Sequence, residues 1–160
     1  MVLKVVNVHS FCRVIAQATL FFAVLLPAQT KKAPSQNTFD DQAASQLLLQ
    51  LSEALQGHSQ KQFLALFDLE KMKNGAIFKQ QISSFYSQTD SIRVHMNLGE
   101  ITVEGESATM SVTAEMEAEP SSAAPSTHQN DTITFTVISA GAGGGWKFID
   151  VQPRSFFSLP

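Results

Sequence analysis

Residues 108–117, ATMSVTAEME, decide the fold of this chain. Every second residue of this stretch is apolar, and each residue between them is Thr, Ser or Glu. Successive side chains of a β-strand point to opposite faces of a sheet, so the alternation predicts a strand with one apolar face. Such a face has to be covered by another layer of structure.

The same two-residue period marks the C-terminal half of the chain. Four further stretches alternate in this way and predict strands: residues 92–98, 101–103, 133–137 and 146–151. Residues 118–131 are rich in Pro, Ser and Ala and predict a loop, whereas the glycines within 141–145 predict a hairpin turn.

The N-terminal half has apolar residues at helical spacing instead. A first helix is predicted to begin near Thr38 or Asp40, which are N-cap residue types, and to end at Gly57. Ser59 is the expected cap of a short second helix, and Asn74 is the expected cap of a third. The apolar stripes of these helices can cover the apolar face of the predicted sheet.

Helices therefore come first and antiparallel strands come last. This order predicts an α+β domain over residues 38–152, with N-terminal helices packed on one face of a curved, mostly antiparallel sheet. A C-terminal tail, residues 153–160, contains Phe156 and Phe157. We expect these two adjacent aromatic side chains to pack over the mouth of the domain or into a dimer seam, because burial of apolar surface is favourable.

The order of elements resembles the nuclear transport factor 2-like superfamily, whose fold is a cystatin-like cone. The likeness covers residues 38–152 and includes the last strand, WKFID at 146–150, and the stretches ALQGH at 54–58 and FLALFD at 63–68. It implies a cone with a pocket at its open end and frequent dimers through the sheet. Its members include isomerases, dehydratases, cyclases and non-catalytic binding modules, so the fold alone leaves the function open.

A cone of this kind implies a pocket lined by inward-facing side chains. The expected lining residues are Phe67, Phe85, Met96, Met110, Phe135, Trp146 and Phe148. Because this lining is apolar, the ligand it predicts is an apolar small molecule.

Catalysis of the isomerase type needs a carboxylate base on the inner wall of the cone and a donor for an oxyanion. The inward positions of the predicted strands before residue 140 are all apolar and supply no such base. Asp150 has the parity of Trp146 and Phe148, which predicts either a base in an apolar site or a carboxylate at the strand end in water. Tyr86, the only tyrosine, is either the donor or a structural residue at the junction of helix and sheet.

Metal ions and cofactors are not predicted. The four histidines, at positions 9, 58, 95 and 128, lack the spacing of a metal site. The glycines of 141–145 precede a strand and lack the Lys-Ser/Thr of a phosphate-binding loop.

The N-terminus has the features of a signal peptide. Lys4 and Arg13 precede or flank an apolar run from Val14 to Leu26, which ends at Leu26-Pro27-Ala28. We expect cleavage after residue 28, a polar linker over 29–37, and a periplasmic or extracellular protein that is free of the membrane. An uncleaved signal anchor that tethers the domain to a membrane is the alternative. The single cysteine, Cys12, would leave with the signal.

Net charge argues against nucleic acid as a partner. The chain has 11 basic and 14 acidic residues, and removal of residues 1–28 leaves nine basic residues and a net charge of −5 with histidine neutral. Nucleic-acid-binding domains present basic patches. Three functions stay open: an exported, non-enzymatic binding or scaffold domain with an apolar pocket, a small isomerase or dehydratase that uses Asp150 and Tyr86, and a structural module that forms a homodimer through its sheet.

Overall fold

The computed structural model describes residues 38–141 and 145–159, so the predicted signal peptide and linker lie outside the described residues. The elements, in chain order, are α1 (Asp41–Gln56), α2 (Gln60–Ala65), α3 (Gly75–Gln88), β1 (Thr89–Glu104), β2 (Ser107–Pro120), β3 (Thr127–Ser139), β4 (Trp146–Gln152) and a 3₁₀ helix (Arg154–Phe157). None of the helices in these residues is long and apolar enough to span a bilayer.

The helices begin directly after the predicted N-cap residues. The carboxylate of Asp40 accepts a hydrogen bond from the backbone N–H of Ala43 at 2.8 Å, and the hydroxyl of Ser59 accepts one from Gln62 at 3.4 Å. Asn74 precedes α3 in the left-handed conformation, without a side-chain capping bond. Gly57 follows α1 as predicted. The side chains of Asp40 and Ser59 each satisfy a backbone donor that the first turn of the helix leaves free.

The strands form one antiparallel sheet in the order β1-β2-β3-β4. The predicted strands 92–98 and 101–103 are a single strand, β1, which contains a register shift between Leu98 and Ile101. An extra residue in one strand makes such a bulge, and Gly99 lies in it. Leu98 pairs with Val112 before the bulge, and Ile101 pairs with Met110 after it.

The predicted loop 118–131 is wrong for most of its length. β2 continues to Pro120 and β3 begins at Thr127, so only six residues connect the two strands. Thr127 pairs with Ala118, and Asp131 pairs with Ala114. Residues 127–131 are polar, and they form a strand because β2 supplies an aligned edge of backbone hydrogen-bonding groups. This tertiary effect outweighs their local propensity.

The helices cover the inner face of the sheet, as predicted for an α+β domain. The inward residues of β2, from Ala108 to Ala118, are at most 2% exposed. Those of β3 from Ile133 to Val137 are fully buried. Leu51 and Leu55 of α1 are fully buried in the same core. Helices on one face of a curved antiparallel sheet form the α+β architecture.

The C-terminal tail belongs to this core. Phe156 is 2% exposed and Phe157 is fully buried. The side-chain amide of Gln81 in α3 donates to the carbonyl oxygens of Arg154 and Phe157 at 2.7 and 3.2 Å. The tail therefore packs on α3, and burial of its phenylalanines is part of the folding of the domain.

Candidate functional site

Aromatic side chains fill the space between the sheet and the helices. Phe135 of β3 contacts Phe148 of β4 with ring centroids 4.9 Å apart, and Phe148 contacts Phe67 at 5.0 Å. Phe67 continues the chain of contacts to Phe63 and Phe78, each at 5.0 Å. Ring centroids this close are in van der Waals contact. A ligand in this part of the cone would have to displace packed side chains.

The seven predicted pocket residues fall into two groups. Phe67, Phe85, Met110, Phe135 and Phe148 are core residues that are at most 6% exposed. Met96 and Trp146 are half-buried and line two separate grooves, on opposite flanks of α1. The groove beside Met96 measures about 340 Å³ and the one beside Trp146 about 350 Å³.

The parity predicted for Asp150 is wrong, because β4 contains a bulge. Val137 pairs with Phe148, but the next residue of β3, Thr136, pairs with Asp150. Val151, not Asp150, is the fully buried partner of Phe135. Residues opposite each other in an antiparallel pair share a face, so Asp150 lies with Thr136 on the face away from the core.

The carboxylate of Asp150 is already bound within the domain. Arg154 Nη2 donates to Asp150 Oδ1 at 2.9 Å, and the amide of Gln152 lies at 3.3 and 3.4 Å from the two carboxylate oxygens. Partial burial raises the pKa of Asp150, but the hydrogen bonds from Arg154 and Gln152 outweigh it and lower the pKa below its usual value. A carboxylate with a lowered pKa is a poor general base at neutral pH.

We predict that Asp150→Asn weakens the acid sensitivity of the fold. Because the pKa is lowered in the folded state, Asp150 adds stability above its unfolded pKa, and this stability is lost as the pH falls through the folded pKa. Its side chain is 37% exposed, so we expect an effect at neutral pH of about 0.2–1 kcal/mol. Urea unfolding across acid pH measures it, with the exposed Asp90→Asn as control. Stabilisation by Asp150→Asn at neutral pH would instead indicate a carboxyl with a raised pKa.

The hydroxyl of Tyr86 is committed to a structural hydrogen bond. It donates to the backbone carbonyl of Ala54 at 3.1 Å, which ties the C-terminal part of α3 to α1. Tyr86 is 4% exposed, and burial raises its pKa well above the usual value. The ring of His58 lies 5.1 Å from the tyrosine ring, and His58 Nε2 donates to the carbonyl of Thr89 at 2.8 Å. These contacts match the structural interpretation of Tyr86.

The structure adds two inward-facing polar residues that sequence reasoning missed. Gln129 and Asp131 of β3 pair with Met116 and Ala114, whose side chains are buried in the core. Asp131 is exposed, and its carboxylate accepts the N–H of Thr132 at 2.8 Å, while Gln129 donates to the carbonyl of Ser158 at 2.8 Å. The sequence pattern did not indicate that these residues belong to a strand, because residues 127–132 show no apolar alternation.

The chain matches no protein-family model and no curated protein. Solved structures do share its fold. A nuclear transport factor 2-like superfamily protein from Salmonella enterica is 10% identical, with a TM-score of 0.61, and the match covers 69% of this chain and 86% of that one. A conserved protein from Planctomyces limnophilus is 12% identical, with a TM-score of 0.60 and coverage of 70% and 92%.

This chain has the nuclear transport factor 2-like fold. A type 2 hexachlorocyclohexane dehydrochlorinase also shares it, at 9% identity and a TM-score of 0.52, covering 69% of this chain and 80% of that one. Nuclear transport factor 2-like proteins include enzymes of this kind as well as binding domains. At these identities the likeness concerns the fold, and function has to be argued from the site.

The outer face of this nuclear transport factor 2-like sheet is polar. Thr109, Ser111 and Thr113 of β2 pair with Thr136, Thr134 and Thr132 of β3, which forms a patch of six hydroxyl groups. Beyond the patch, Arg93 contacts Glu117 at 3.0 Å and Glu119 at 3.6 Å, and His128 lies 3.7 Å from Glu117. Within residues 38–141 and 145–159, no three His, Asp or Glu side chains are grouped closely enough to hold a metal ion.

A further cavity of about 620 Å³ lies where α3 ends and the connection between β2 and β3 begins. Pro120, Ala124, Pro125 and Leu159 form its apolar surface, and Ser87 is among its polar residues. Neither Asp150 nor Tyr86 is among the residues that line it. The two candidate catalytic residues therefore do not line this cavity.

Proposed function

We propose that this chain is an exported, non-catalytic interaction domain. The observation that supports it best is the filled interior, in which Phe135, Phe148 and Phe67 contact one another where a ligand pocket was expected. Export rests on the N-terminal sequence, with membrane tethering as its alternative. A domain of this kind acts through its surface and needs no cofactor.

The contacts of the two candidate catalytic residues also favour this proposal. Asp150 is held by Arg154 and Gln152 on the face away from the core. Tyr86 is held by the carbonyl of Ala54 inside the core. An isomerase or dehydratase would need the base and the donor to face one substrate, at hydrogen-bonding distance from its reacting atoms.

Native mass spectrometry of the purified protein tests the proposal. We expect the mass of the polypeptide, or of its oligomer, without a stoichiometric small-molecule adduct, because the rings of Phe135, Phe148 and Phe67 occupy the expected pocket in the described part of the chain. A bound molecule of defined mass that survives purification would contradict the filled-interior argument.

Binding of an apolar small molecule is the second candidate, and the cavity near Leu159 supports it. Its apolar residues, Pro120, Ala124, Pro125 and Leu159, could bury part of such a ligand. If native mass spectrometry finds an adduct, Leu159→Glu should remove it in this arrangement. Retention of the adduct in that variant would place the ligand elsewhere.

A further inference from the structure

β1 is an edge strand of the sheet. β1 spans 16 residues, Thr89–Glu104, and is the first strand of the sheet, so β2 is the only strand within residues 38–141 and 145–159 that pairs with it. An edge strand presents a row of backbone N–H and C=O groups that another strand can bind. Native proteins usually cover long edge strands or interrupt them with bulges; β1 contains a bulge between Leu98 and Ile101, but only one of its edges is paired among the described residues.

Apolar side chains on the inner face of β1 are partly exposed to solvent. Val94, Met96, Leu98 and Ile101 face inward but are only half-buried, and Val103 is 46% exposed. Their partners on β2, the residues from Ala108 to Met116 on the same face, are at most 2% exposed. The inner face is thus covered over β2 and left partly open along β1, as an apolar stripe.

Helix α1 forms the second wall of this open flank. Leu48 and Leu49 of α1 line a groove of about 340 Å³ together with Val94, Met96 and Leu98 of β1. Leu49 is 59% exposed. Among the described residues three large apolar side chains are exposed, and two of them, Leu49 and Val103, lie on this flank. The third, Ile77, lies on α3.

The bulge in β1 makes its two halves complementary to each other. Before the bulge the inward residues have even numbers, as in Val94 and Met96, and after it they have odd numbers, as in Ile101 and Val103. Opposite residues of an antiparallel pair share a face. In a pair of β1 strands, Val94 of one copy can therefore face Val103 of the other, and Met96 can face Ile101.

Charge favours the same register. With Val94 opposite Val103, Arg93 lies opposite Glu104 of the second copy on the outer face, and Asn97 lies opposite Glu100. The first half of β1 carries Asp90 and Arg93, and the second half carries Glu100 and Glu104. A two-fold axis brings the first half of each copy to the second half of the other, which places Arg93 of each copy opposite the unlike charge of Glu104 of the other.

We propose that two copies of this chain associate through antiparallel pairing of their β1 edges. The sheet then continues across the two-fold axis, and the exposed apolar end of each β1 covers the groove beside the partner's α1. This deepens the proposed function, on which it rests, because it names a second copy as the partner. It differs from association through the outer face, where the hydroxyl patch of β2 and β3 would lie at the contact.

Light scattering coupled to size-exclusion chromatography of the full-length chain tests the proposal. We expect a dimer for the natural sequence and a monomer for Leu49→Lys/Val103→Lys, because two charged groups would be buried in the interface. Ile77→Lys is the matched control, since it changes an equally exposed apolar residue of α3 and should leave the dimer intact. Far-ultraviolet circular dichroism should show that all three proteins are folded.

The outcomes separate the possible partners. A natural chain that stays monomeric at high concentration overturns the proposal and leaves a different protein as the occupant of the edge. A dimer that Thr134→Arg abolishes, and that Leu49→Lys/Val103→Lys leaves intact, places the contact on the outer face and also overturns it. Either result leaves the non-catalytic proposal standing, because only a bound small molecule or activity contradicts that.

A disulfide tests the register. In a Cys12→Ser background, Val94→Cys/Val103→Cys should form covalent dimers under mild oxidation. The same two cysteines lie nine residues apart on one strand, about 30 Å, so they cannot bond within one chain. As a control, Val94→Cys/Thr134→Cys should give no covalent dimer. Covalent dimers in the control at the same yield would overturn the specific pairing.

Discussion

Replacement of Phe157 by Ala is expected to destabilise the domain by about 3–5 kcal/mol. The side chain is fully buried, and its ring contacts Phe63 at 5.3 Å, Phe156 at 5.3 Å and Phe78 at 6.4 Å. These rings belong to α2, α3 and the tail itself, which cannot close together over the lost volume without moving whole elements. The cost therefore includes a cavity as well as the lost transfer of the ring from water.

Thermal unfolding followed by circular dichroism measures this effect. For a domain of this size we expect the Tm to fall by at least about 10 °C. Ile77→Ala is the control, because Ile77 is the neighbour of Phe78 on α3 but is 64% exposed, and its replacement should change the Tm little. Deletion of residues 153–160 should cost at least as much as Phe157→Ala. An unchanged Tm after that deletion would show that the tail is not part of the core.

The sequence predicted that the tail would be buried, but not which residues it would contact. Two adjacent phenylalanines near a chain end have to be buried somewhere, and their sequence says so. That Gln81 of α3 holds the tail by donating to Arg154 and Phe157 depends on a tertiary contact across more than 70 residues. No local pattern in the sequence marks Gln81 for this role.

The helices and strands with strong periodicity were predictable, because local signals determine them. The caps at Asp40 and Ser59 and the alternation over residues 108–117 all mark elements that the structure contains. β3 begins at Thr127, earlier than its alternation, because pairing with β2 and not side-chain pattern holds its first residues in a strand. Polar strands of this kind need a neighbour to be recognised.

The sequence predicts which side chains face the candidate site only where residues alternate regularly between the two faces of a strand. The placement of Asp150 beside Phe148 assumed regular alternation, but the shift between Thr136 and Val137 moves Asp150 to the other face. One extra residue reverses every side chain after it. The same event in β1, between Leu98 and Ile101, creates the self-complementary edge. A bulge cannot be located reliably from a single sequence. Here one bulge determines the face on which Asp150 lies, and the other determines which residues of β1 face inward.

Replacement of Phe135 by Ala should convert the filled cone into one that binds a small apolar molecule. Phe135 is fully buried between Met110 on β2 and Val151 on β4, and its ring lies 4.9 Å from that of Phe148. Loss of the ring should cost about 3–5 kcal/mol and leave an apolar cavity between sheet and helices. Empty apolar cavities in proteins stay dry and take up benzene.

Thermal unfolding with and without benzene measures both effects at once. Benzene should raise the Tm of Phe135→Ala, because a ligand that binds only the folded state stabilises it, and should leave the natural chain unchanged. Thr134→Ala, one residue away on the outer face, is the matched control and should show neither effect. A benzene-dependent rise in the natural chain would mean that its interior already holds an open apolar pocket. In that case Phe135, Phe148 and Phe67 would line a ligand-binding site. Ligand binding would then replace association through the surface as the proposed function of the domain.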